Sequence, residues 1–283
     1  MILGTAQLGL NYGISNQEGK PNSKVANELL KFAWENNIRT LDTASAYGDS
    51  ENVIGDSGIS EFNIISKLPK IEVSNNKDLH NHILNQIKRS LDNTNQVSLD
   101  SYLLHSVEDL MRDKNSIWNE MLSIKEKRYS NKIGYSVYTI NQLEEVYDKF
   151  KPDVIQLPFS VLDRQFYSSG WIERMKGDGV EIHVRSIFLQ GLLLMDINDQ
   201  RKRFPGHQRL WIRWNDFLSS NNISALQACL GFVQNHKEID HIVVGVNNKH
   251  ELSEILNFTN FKISISEKIS STDPELIYPF KWN

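Results

Sequence analysis

The chain has 283 residues, of which 40% are hydrophobic and 23% charged, a composition typical of a globular protein with a sizeable core. Lys and Arg total 31 against 35 Asp and Glu, so the formal net charge is -4, which disfavours a general binder of nucleic acid or of an anionic membrane. The single cysteine, Cys229, excludes an intrachain disulfide and a cysteine-rich zinc site, and we predict no metal ligands.

Short apolar segments alternate along the chain with stretches of helical periodicity, a pattern that predicts an α/β fold. The eight predicted strands span residues 2–7, 38–43, 62–67, 101–106, 132–137, 153–158, 181–186 and 241–246. Predicted helices between them span residues 23–37, 81–93, 116–127, 140–150 and 223–235. Ser23 is available to cap the first helix and Thr139 the fourth. Cys229 lies in the apolar pattern of the last helix, which predicts a core residue rather than a nucleophile.

Eight strands separated by helices are most simply closed as one parallel barrel. We therefore predict a single (β/α)8 TIM barrel, in the α/β class, as one domain over residues 1–283. The alternative is an open doubly wound sheet, which normally carries G-x-G-x-x-G after an early strand. Here the first strand leads into "GTAQLGLNYG", whose glycines do not fit that motif. No repeat or linker marks a domain boundary.

The interval after the seventh strand is longer than a barrel needs. Residues 187–220 contain a charged patch, a Pro-Gly turn and two tryptophans, and predict an elaborated loop followed by an amphipathic helix. Trp211 and Trp214 lie three residues apart and share one face of that helix. Core packing is the favoured interpretation of these rings, and substrate contact is the alternative.

Polar residues end three consecutive strands, at the face where a parallel barrel builds its active site. Asp42 ends the second strand, Lys67 the third and His105 the fourth, and Tyr47 follows in the loop after the second strand. A lone histidine or lysine at a strand end is most often structural or solvated. Three such residues on neighbouring strands about 5 Å apart can instead converge on one pocket.

The predicted pocket contains the groups that protonate an oxygen as it gains negative charge. Tyrosine has an ordinary pKa of about 10, and we expect the Lys67 ammonium to lower the pKa of Tyr47. Asp42 would hold Lys67 protonated and oriented, because either charge alone is costly in a closed site. A neutral His105 would donate a hydrogen bond to a carbonyl oxygen. These roles predict reduction of a carbonyl group.

These strand ends resemble the aldo-keto reductase family. The resemblance is carried by "LDTASAYGDSE" for its Asp and Tyr, "IISK" for its Lys and "DSYLLHS" for its His, and it extends to "LGTAQLG" and "IVVGVNNKHEL" near the two ends. It implies a barrel that binds a nicotinamide cofactor without a Rossmann domain. It also implies that Asp42, Tyr47, Lys67 and His105 are a catalytic tetrad, with Tyr47 the general acid in reduction and the base in oxidation.

The resemblance further implies a cofactor site. Ser136 and Gln156 match the positions that hold the nicotinamide carboxamide, although Val137 stands where the family often has Asn. Arg185 occupies the place of a stacking aromatic ring, and a planar guanidinium could also stack there. The cofactor-binding residues so implied are Gly4, Thr5, Ala6, Asp42, Ser136, Gln156, Arg185, Ser186, Phe188, Gly191, Gly245, Val246, Asn247 and Glu251.

The family resemblance favours NADP(H), but one position departs from the family pattern. Members that prefer NADP commonly have Arg or another phosphate-compatible residue where this chain has Glu251. A carboxylate there would repel a 2′-phosphate, although Lys249 lies close enough in sequence to compensate. NAD(H) therefore remains possible.

The implied activity is an NAD(P)-dependent oxidoreductase acting on an aldehyde, ketone or sugar carbonyl. Candidate substrate contacts are Leu8, Tyr12, Val107 and residues 189–215. Residues 273–283 could lie across the mouth of the barrel or pack on its outside, and we favour outside packing. "RSIFLQGLLL" resembles a bacterial branch associated with sugar and polysaccharide metabolism, which suggests a sugar substrate.

Two alternatives stay open. One is a non-catalytic protein of the same fold that binds the cofactor as a regulator, and the other is a lyase or isomerase that uses Lys67 as a Schiff-base amine. The opening residues lack the basic region of a signal peptide and no apolar run approaches about 18 residues, so we expect a cytoplasmic monomer or small homo-oligomer.

Overall fold

The computed structural model describes residues 1–16, 18–72, 76–112 and 115–282. Eight parallel strands pair in chain order and close into a barrel, with the last strand beside the first. They are β1 (Ile2–Gly4), β2 (Thr40–Asp42), β3 (Asn63–Leu68), β4 (Leu99–Leu104), β5 (Ser130–Ser136), β6 (Val154–Pro158), β7 (Glu181–Arg185) and β8 (His241–Gly245). The predicted (β/α)8 barrel is confirmed, and the open sheet is wrong.

The predicted helices are all present, and shorter ones lie in the loops. The described helices are α1 (Ala6–Gly9), α2 (Ser23–Glu35), α3 (Ser50–Asp56), α4 (Asn76–Thr94), α5 (Glu108–Arg112), α6 (Ser116–Glu126), α7 (Ile140–Val146), α8 (Gln165–Ser168), α9 (Trp171–Gly177), α10 (Ile197–Arg203), α11 (Gln208–Asn221), α12 (Ala225–Gln234), α13 (Lys249–Leu256) and α14 (Pro274–Ile277). None of them is long and apolar enough to span a membrane.

Helix caps fix where the principal helices begin. Asn22, one residue before the expected Ser23, caps α2 by accepting from the Val25 N–H at 3.1 Å. Thr139 caps α7 as predicted, in a reciprocal capping box with Gln142. Ser224 forms the same kind of box at α12, one residue after the predicted start of that helix.

Strand β1 is shorter than predicted and ends at Gly4. The backbone N–H and the hydroxyl of Thr5 both donate to the Asp42 carbonyl, at 2.9 and 3.0 Å, and the chain then turns into α1. Leu8 on α1 is only 1% exposed and packs in the core. It does not line the active-site cavity described below, so its predicted substrate contact is wrong, as is that of the equally buried Val107.

The core has two parts. A large apolar cluster lies between the barrel wall and the surrounding helices, and a smaller one fills the barrel interior with Ile2, Ile65, Leu103, Val154 and Val243. The interior cluster closes the barrel below the polar strand ends, so the strands hold those ends on a packed base.

The tryptophans of α11 belong to the core. Trp211 and Trp214 are fully buried, and their indole N–H groups donate to the Phe204 and Leu193 carbonyls. The favoured core interpretation is therefore confirmed. Cys229 is likewise buried, and burial raises the pKa of its thiol, as expected of a core residue.

The C-terminal segment joins the rim of the barrel instead of packing on its outside. Phe280 contacts the Tyr138 ring after β5 at a centroid distance of 4.8 Å, and the Tyr278 hydroxyl donates to Gln165 after β6 at 3.1 Å. The apolar Tyr278 and Phe280 rings find their partners among these loops, so the expectation of outside packing is wrong. Residue 283 lies outside the described residues.

Candidate active site

A buried ion pair joins the ends of β2 and β3. The Lys67 ammonium donates to Asp42 Oδ2 and to the Thr43 carbonyl, each at 2.8 Å, and the two side chains are 1% and 5% exposed. Two buried charges that are paired and hydrogen-bonded avoid the large desolvation cost that either would carry alone. The predicted pairing of Asp42 with Lys67 is confirmed.

Asp42 is held through its second oxygen as well. The Gln156 amide donates to Asp42 Oδ1 at 2.8 Å across the barrel interior. The sequence assigned Gln156 only to contact with the nicotinamide carboxamide. In the structure, an N–H of its side-chain amide donates to Asp42. The carbonyl oxygen of Gln156 is the atom that remains for a carboxamide.

Tyr47 is positioned by a tight turn between β2 and α3. The Tyr47 N–H donates to the Ala44 carbonyl, and the Ser50 N–H donates to that of Tyr47. Gly9 on α1 packs directly on this turn, because a Cβ on Gly9 would lie 1.7 Å from the Tyr47 carbonyl oxygen. Any side chain at position 9 would therefore displace Tyr47.

Lys67 and His105 flank the Tyr47 ring. The Lys67 ammonium lies 5.1 Å from the ring centroid, and the His105 ring meets it edge to face at 5.6 Å. All four residues that the sequence predicted to converge thus surround one another at the C-terminal ends of β2, β3 and β4.

Burial raises the pKa of the Tyr47 phenol, and the Asp42 carboxylate raises it further. The Arg185 cation acts in the opposite direction, and the net effect is a raised pKa rather than the lowered one that was expected. Asp42 offsets the charge of Lys67 at 2.8 Å, and burial itself lowers the pKa of Lys67. Tyr47 therefore keeps its proton throughout the neutral range.

His105 is neutral, as predicted. Burial lowers its pKa to about 4, and the positive charges of Lys67 and Arg185 act in the same direction. A neutral imidazole has one N–H to donate and one bare nitrogen.

Arg185 at the end of β7 borders the cavity described below and contacts the Tyr138 ring. Its guanidinium lies 4.0 Å from the Tyr138 ring centroid and donates to the Ser136 hydroxyl and the Val137 carbonyl. The Ser136 hydroxyl is thereby occupied by Arg185. The two positions predicted to contact nicotinamide are coupled to each other by this contact.

A cavity of about 530 Å³ opens beside Tyr47 and Asp42. Its size falls within the range of small-molecule sites. The predicted cofactor residues on its wall are Gly4, Thr5, Ala6, Asp42, Arg185, Ser186, Phe188, Gly191, Gly245, Val246, Asn247 and Glu251. Lys67, His105, Ser136 and Gln156 are not part of this wall, and each stands behind it in contact with one of its residues.

Left-handed backbone is concentrated in the loop after β7. Ser186, Leu189 and Gln190 have φ values of 61°, 48° and 52°, and Gly191 follows at 93°. Such conformations are unfavourable for residues with side chains and collect at functional sites. The Ile14 N–H donates to the Gln190 carbonyl, so the loops after β1 and β7 meet over the cavity.

Sequence reasoning missed several residues on this wall. They are Gln7, Asn16 and Ser224, whereas Gln190 on the same wall belongs to the predicted substrate segment 189–215. Gln7 stands inside the quoted motif "LGTAQLG", and the S-x-x-Q capping signal at Ser224 marks a helix start, so both carried a signal. Asn16 lies in a loop whose course the sequence does not reveal.

Two buried oxygens on the wall have no hydrogen-bond partner within the part of the chain that the structure describes. They are Gln7 Oε1 and Asn247 Oδ1. A buried acceptor left unpaired is costly. Both atoms are therefore suited to accept from the hydroxyl or amine groups of a ligand.

Glu251 does not extend toward solvent. Its carboxylate accepts from the Asn247 N–H at 2.9 Å, while its own N–H donates to the Asn248 side chain that caps α13. Lys249 pairs with Glu28 at 2.9 Å, so its charge is directed to another partner.

Comparison with known proteins identifies the family. A sequence model of the aldo/keto reductase family matches residues 1–271. The chain belongs to the aldo-keto reductase family. This aldo-keto reductase is 29% identical over 181 residues to the glyoxal reductase of Bacillus subtilis (strain 168). The match covers 61% of this chain and 62% of glyoxal reductase, less than two thirds of that relative.

Solved structures share the fold of this aldo-keto reductase. The holo form of an aldo-keto reductase from Bacillus halodurans superposes with a TM-score of 0.72 at 17% identity, over 95% of this chain and 89% of that one. A Pseudomonas aeruginosa protein described as an aldo-keto reductase gives 0.67 at 20% identity, over 91% and 88%. At such identities the likeness establishes the barrel alone.

Proposed function

We propose that this aldo-keto reductase is an NAD(P)-dependent oxidoreductase that reduces aldehyde, ketone or sugar carbonyls, with Tyr47 as the proton donor. The observation that carries the proposal is the grouping of Tyr47, His105 and the Asp42–Lys67 pair beside a cavity of about 530 Å³. Family membership supports the same reaction class, since the family uses nicotinamide cofactors, generally NADP(H).

The residues present fit a nicotinamide dinucleotide. Gln7 and Asn247 offer unpaired acceptors, and the first turn of α12 borders the cavity with the backbone N–H groups of Ala225 and Leu226, which are suited to phosphate. Gly245 and Gly191 leave the wall open where a side chain would collide with Gln7 or Ser15. When bound, the reduced nicotinamide would supply the hydride.

The chain's own residues supply the proton and the orientation. His105, neutral at physiological pH, would donate a hydrogen bond that holds the carbonyl oxygen near Tyr47. Tyr47 would then give its proton to that oxygen as negative charge develops. A phenol whose pKa is raised still protonates an alkoxide, which is the stronger base. Asp42 and Lys67 would keep the region electrically balanced without taking part in proton transfer to solvent.

The Schiff-base alternative is disfavoured by the environment of Lys67. Its side chain is 1% exposed, and its ammonium donates to two oxygens, Asp42 Oδ2 and the Thr43 carbonyl. A Schiff-base lysine must reach the substrate carbonyl with a free amine. Borohydride trapping in the presence of a reactive sugar or aldehyde should therefore leave Lys67 unmodified.

The experiment that tests the function follows NADH and NADPH absorbance with glyoxal, other aldehydes and ketoses, for the wild type and for Tyr47→Phe. Glyoxal is included because glyoxal reductase is the relative. We expect Tyr47→Phe to lower kcat about 100- to 10,000-fold, the usual contribution of a general acid, with little change in cofactor Kd.

The matched control is Tyr167→Phe, which removes a hydroxyl from a half-exposed tyrosine on α8 that is not part of the cavity wall. We expect its kcat to stay within a few-fold of the wild type. Tyr47→Phe that keeps most of the activity would refute the assigned acid. Cofactor binding to the wild type with no turnover of any carbonyl would favour the regulatory alternative.

A further inference from the structure

Three metal-ligating side chains meet at the opposite end of the barrel from Tyr47. Glu181 and His183 are the first and third residues of β7, and His241 is the first residue of β8. His183 and His241 are register partners across the two strands. Each potential ligand atom of these three residues lies within 4.8 Å of the others.

The spacing of these ligand atoms is close to the spacing of ligands around a bound zinc-type ion. Glu181 Oε1 lies 2.8 Å from His183 Nε2 and 3.4 Å from His241 Nε2. Ligand atoms about 2.0–2.2 Å from a tetrahedral zinc ion stand about 3.3 Å apart. His241 is 41% exposed and has room to turn toward the others, while His183, 1% exposed, is fixed.

The charges near the three residues leave a net attraction for a cation. Lys132 pairs with the other oxygen of Glu181, at 2.6 Å, which orients the carboxylate and leaves Oε1 to the histidines. Asp100 lies 3.9 Å from the same lysine and balances its charge. The second ring nitrogen of His183 has no hydrogen-bond partner among the residues that the structure covers. The Glu181 contact is thus the one polar interaction shown for this buried side chain, and a bond to a metal would add to it.

We propose that Glu181, His183 and His241 bind one zinc-type divalent transition-metal ion at the N-terminal end of the barrel. Two imidazoles and one carboxylate suit such ions, whereas Mg²⁺ prefers oxygen ligands and is disfavoured by the two imidazoles. Strands β7 and β8 pair through two register pairs, and His183 and His241 form one of them. A bound ion would therefore stabilise the pairing of these two strands. The fourth ligand is water, reached through the exposed side of His241.

The test uses the full chain after treatment with a chelator. Co²⁺ titration is expected to saturate at one ion per chain, with the visible absorption of four-coordinate cobalt. Zn²⁺ is expected to raise the unfolding temperature, whereas Mg²⁺ leaves it unchanged. His241→Gln, at the most exposed of the three positions, should abolish both effects while the far-ultraviolet circular dichroism stays as in the wild type.

The control is His250→Gln, an exposed histidine on α13 away from these strands, which should bind Co²⁺ like the wild type. Glu181→Gln should weaken binding at least tenfold. Absence of saturable one-to-one binding in the wild type would overturn the proposal, and so would equal binding by the wild type and His241→Gln.

Discussion

Tyr47 owes its proposed role to four neighbours that act differently. Burial and Asp42 keep the phenol protonated, and Arg185 opposes them. His105, whose pKa is lowered to about 4, stays a neutral donor above that pH. Asp42 and Lys67 mainly satisfy each other at 2.8 Å. The motif "LDTASAYGDSE" therefore supplies the proposed proton donor and one half of a buried ion pair, and the pKa of the tyrosine is raised rather than lowered.

At Glu251 the structure makes a prediction about the cofactor. The carboxylate borders the cavity, and Lys249 is paired with Glu28 at 2.9 Å and does not offset it. A 2′-phosphate near Glu251 meets a like charge. We predict that Glu251→Gln tightens NADPH binding about tenfold, or about 1.4 kcal/mol, and leaves NADH binding unchanged.

Dissociation constants measured by fluorescence titration check this prediction. Glu254→Gln, one turn further along α13, removes a carboxylate from the same wall and controls for general charge. A wild type that prefers NADPH by about a hundredfold, near 2.7 kcal/mol, would show that Glu251 does not oppose the phosphate.

At the scale of elements, two loops meet over the cavity and depend on one glycine. Gly191 has φ 93°, and a Cβ there would lie 1.9 Å from the Ser15 hydroxyl oxygen. Gly191→Ala would strain the backbone and push the loop after β1 away. We predict a cofactor Kd at least about tenfold weaker, near 1.4 kcal/mol.

Gly206→Ala is the matched control for this substitution. No atom lies within 4 Å of a Cβ built at Gly206, so its cofactor affinity should equal that of the wild type. Isothermal titration of both variants gives the comparison. Unchanged affinity in Gly191→Ala would mean that contact between the two loops does not contribute to binding.

The sequence predicted the strands and helices whose apolar residues follow a regular pattern and are buried in the core. All eight strands and the five main helices follow from periodicity and caps. Short elements such as α1 and α3 were missed, since they are held by tertiary hydrogen bonds such as Thr5 to Asp42 and Ser50 to Thr5. Local propensity carries little information about such contacts.

For the candidate site, the sequence likewise predicted part of the arrangement. The convergence of Asp42, Tyr47, Lys67 and His105 followed from strand ends alone. The sequence did not predict the direction of the pKa shift of Tyr47 or the contacts of Gln156 and Arg185. These features depend on burial and on distances across the barrel, which the amino-acid sequence does not show directly.

At the scale of the whole molecule, Asp163 makes the stability depend on pH. It is 1% exposed after β6, and burial raises its pKa from 3.8 to about 7. The folded state therefore holds a proton that the unfolded state has released, so stability falls as pH rises from about 4 to about 7.

We predict that Asp163→Asn removes this fall. We compare the free energy of unfolding of the variant with that of the wild type at each pH. The difference, variant minus wild type, should be larger at pH 8 than at pH 4 by up to about 4 kcal/mol. Urea unfolding at the two pH values measures the difference. A gap between variant and wild type that does not change with pH would contradict the assignment of a buried, protonated Asp163.

Tyr47 is proposed to protonate a carbonyl oxygen as hydride reaches the carbonyl carbon. The decisive measurement uses NADH or NADPH with deuterium at both C4 positions, and mass spectrometry of the product from a carbonyl that the wild type reduces. We predict one deuterium on the former carbonyl carbon with the wild type, and transfer slowed at least about a hundredfold in Tyr47→Phe. Product without deuterium, or equal transfer by Tyr47→Phe, would contradict the account.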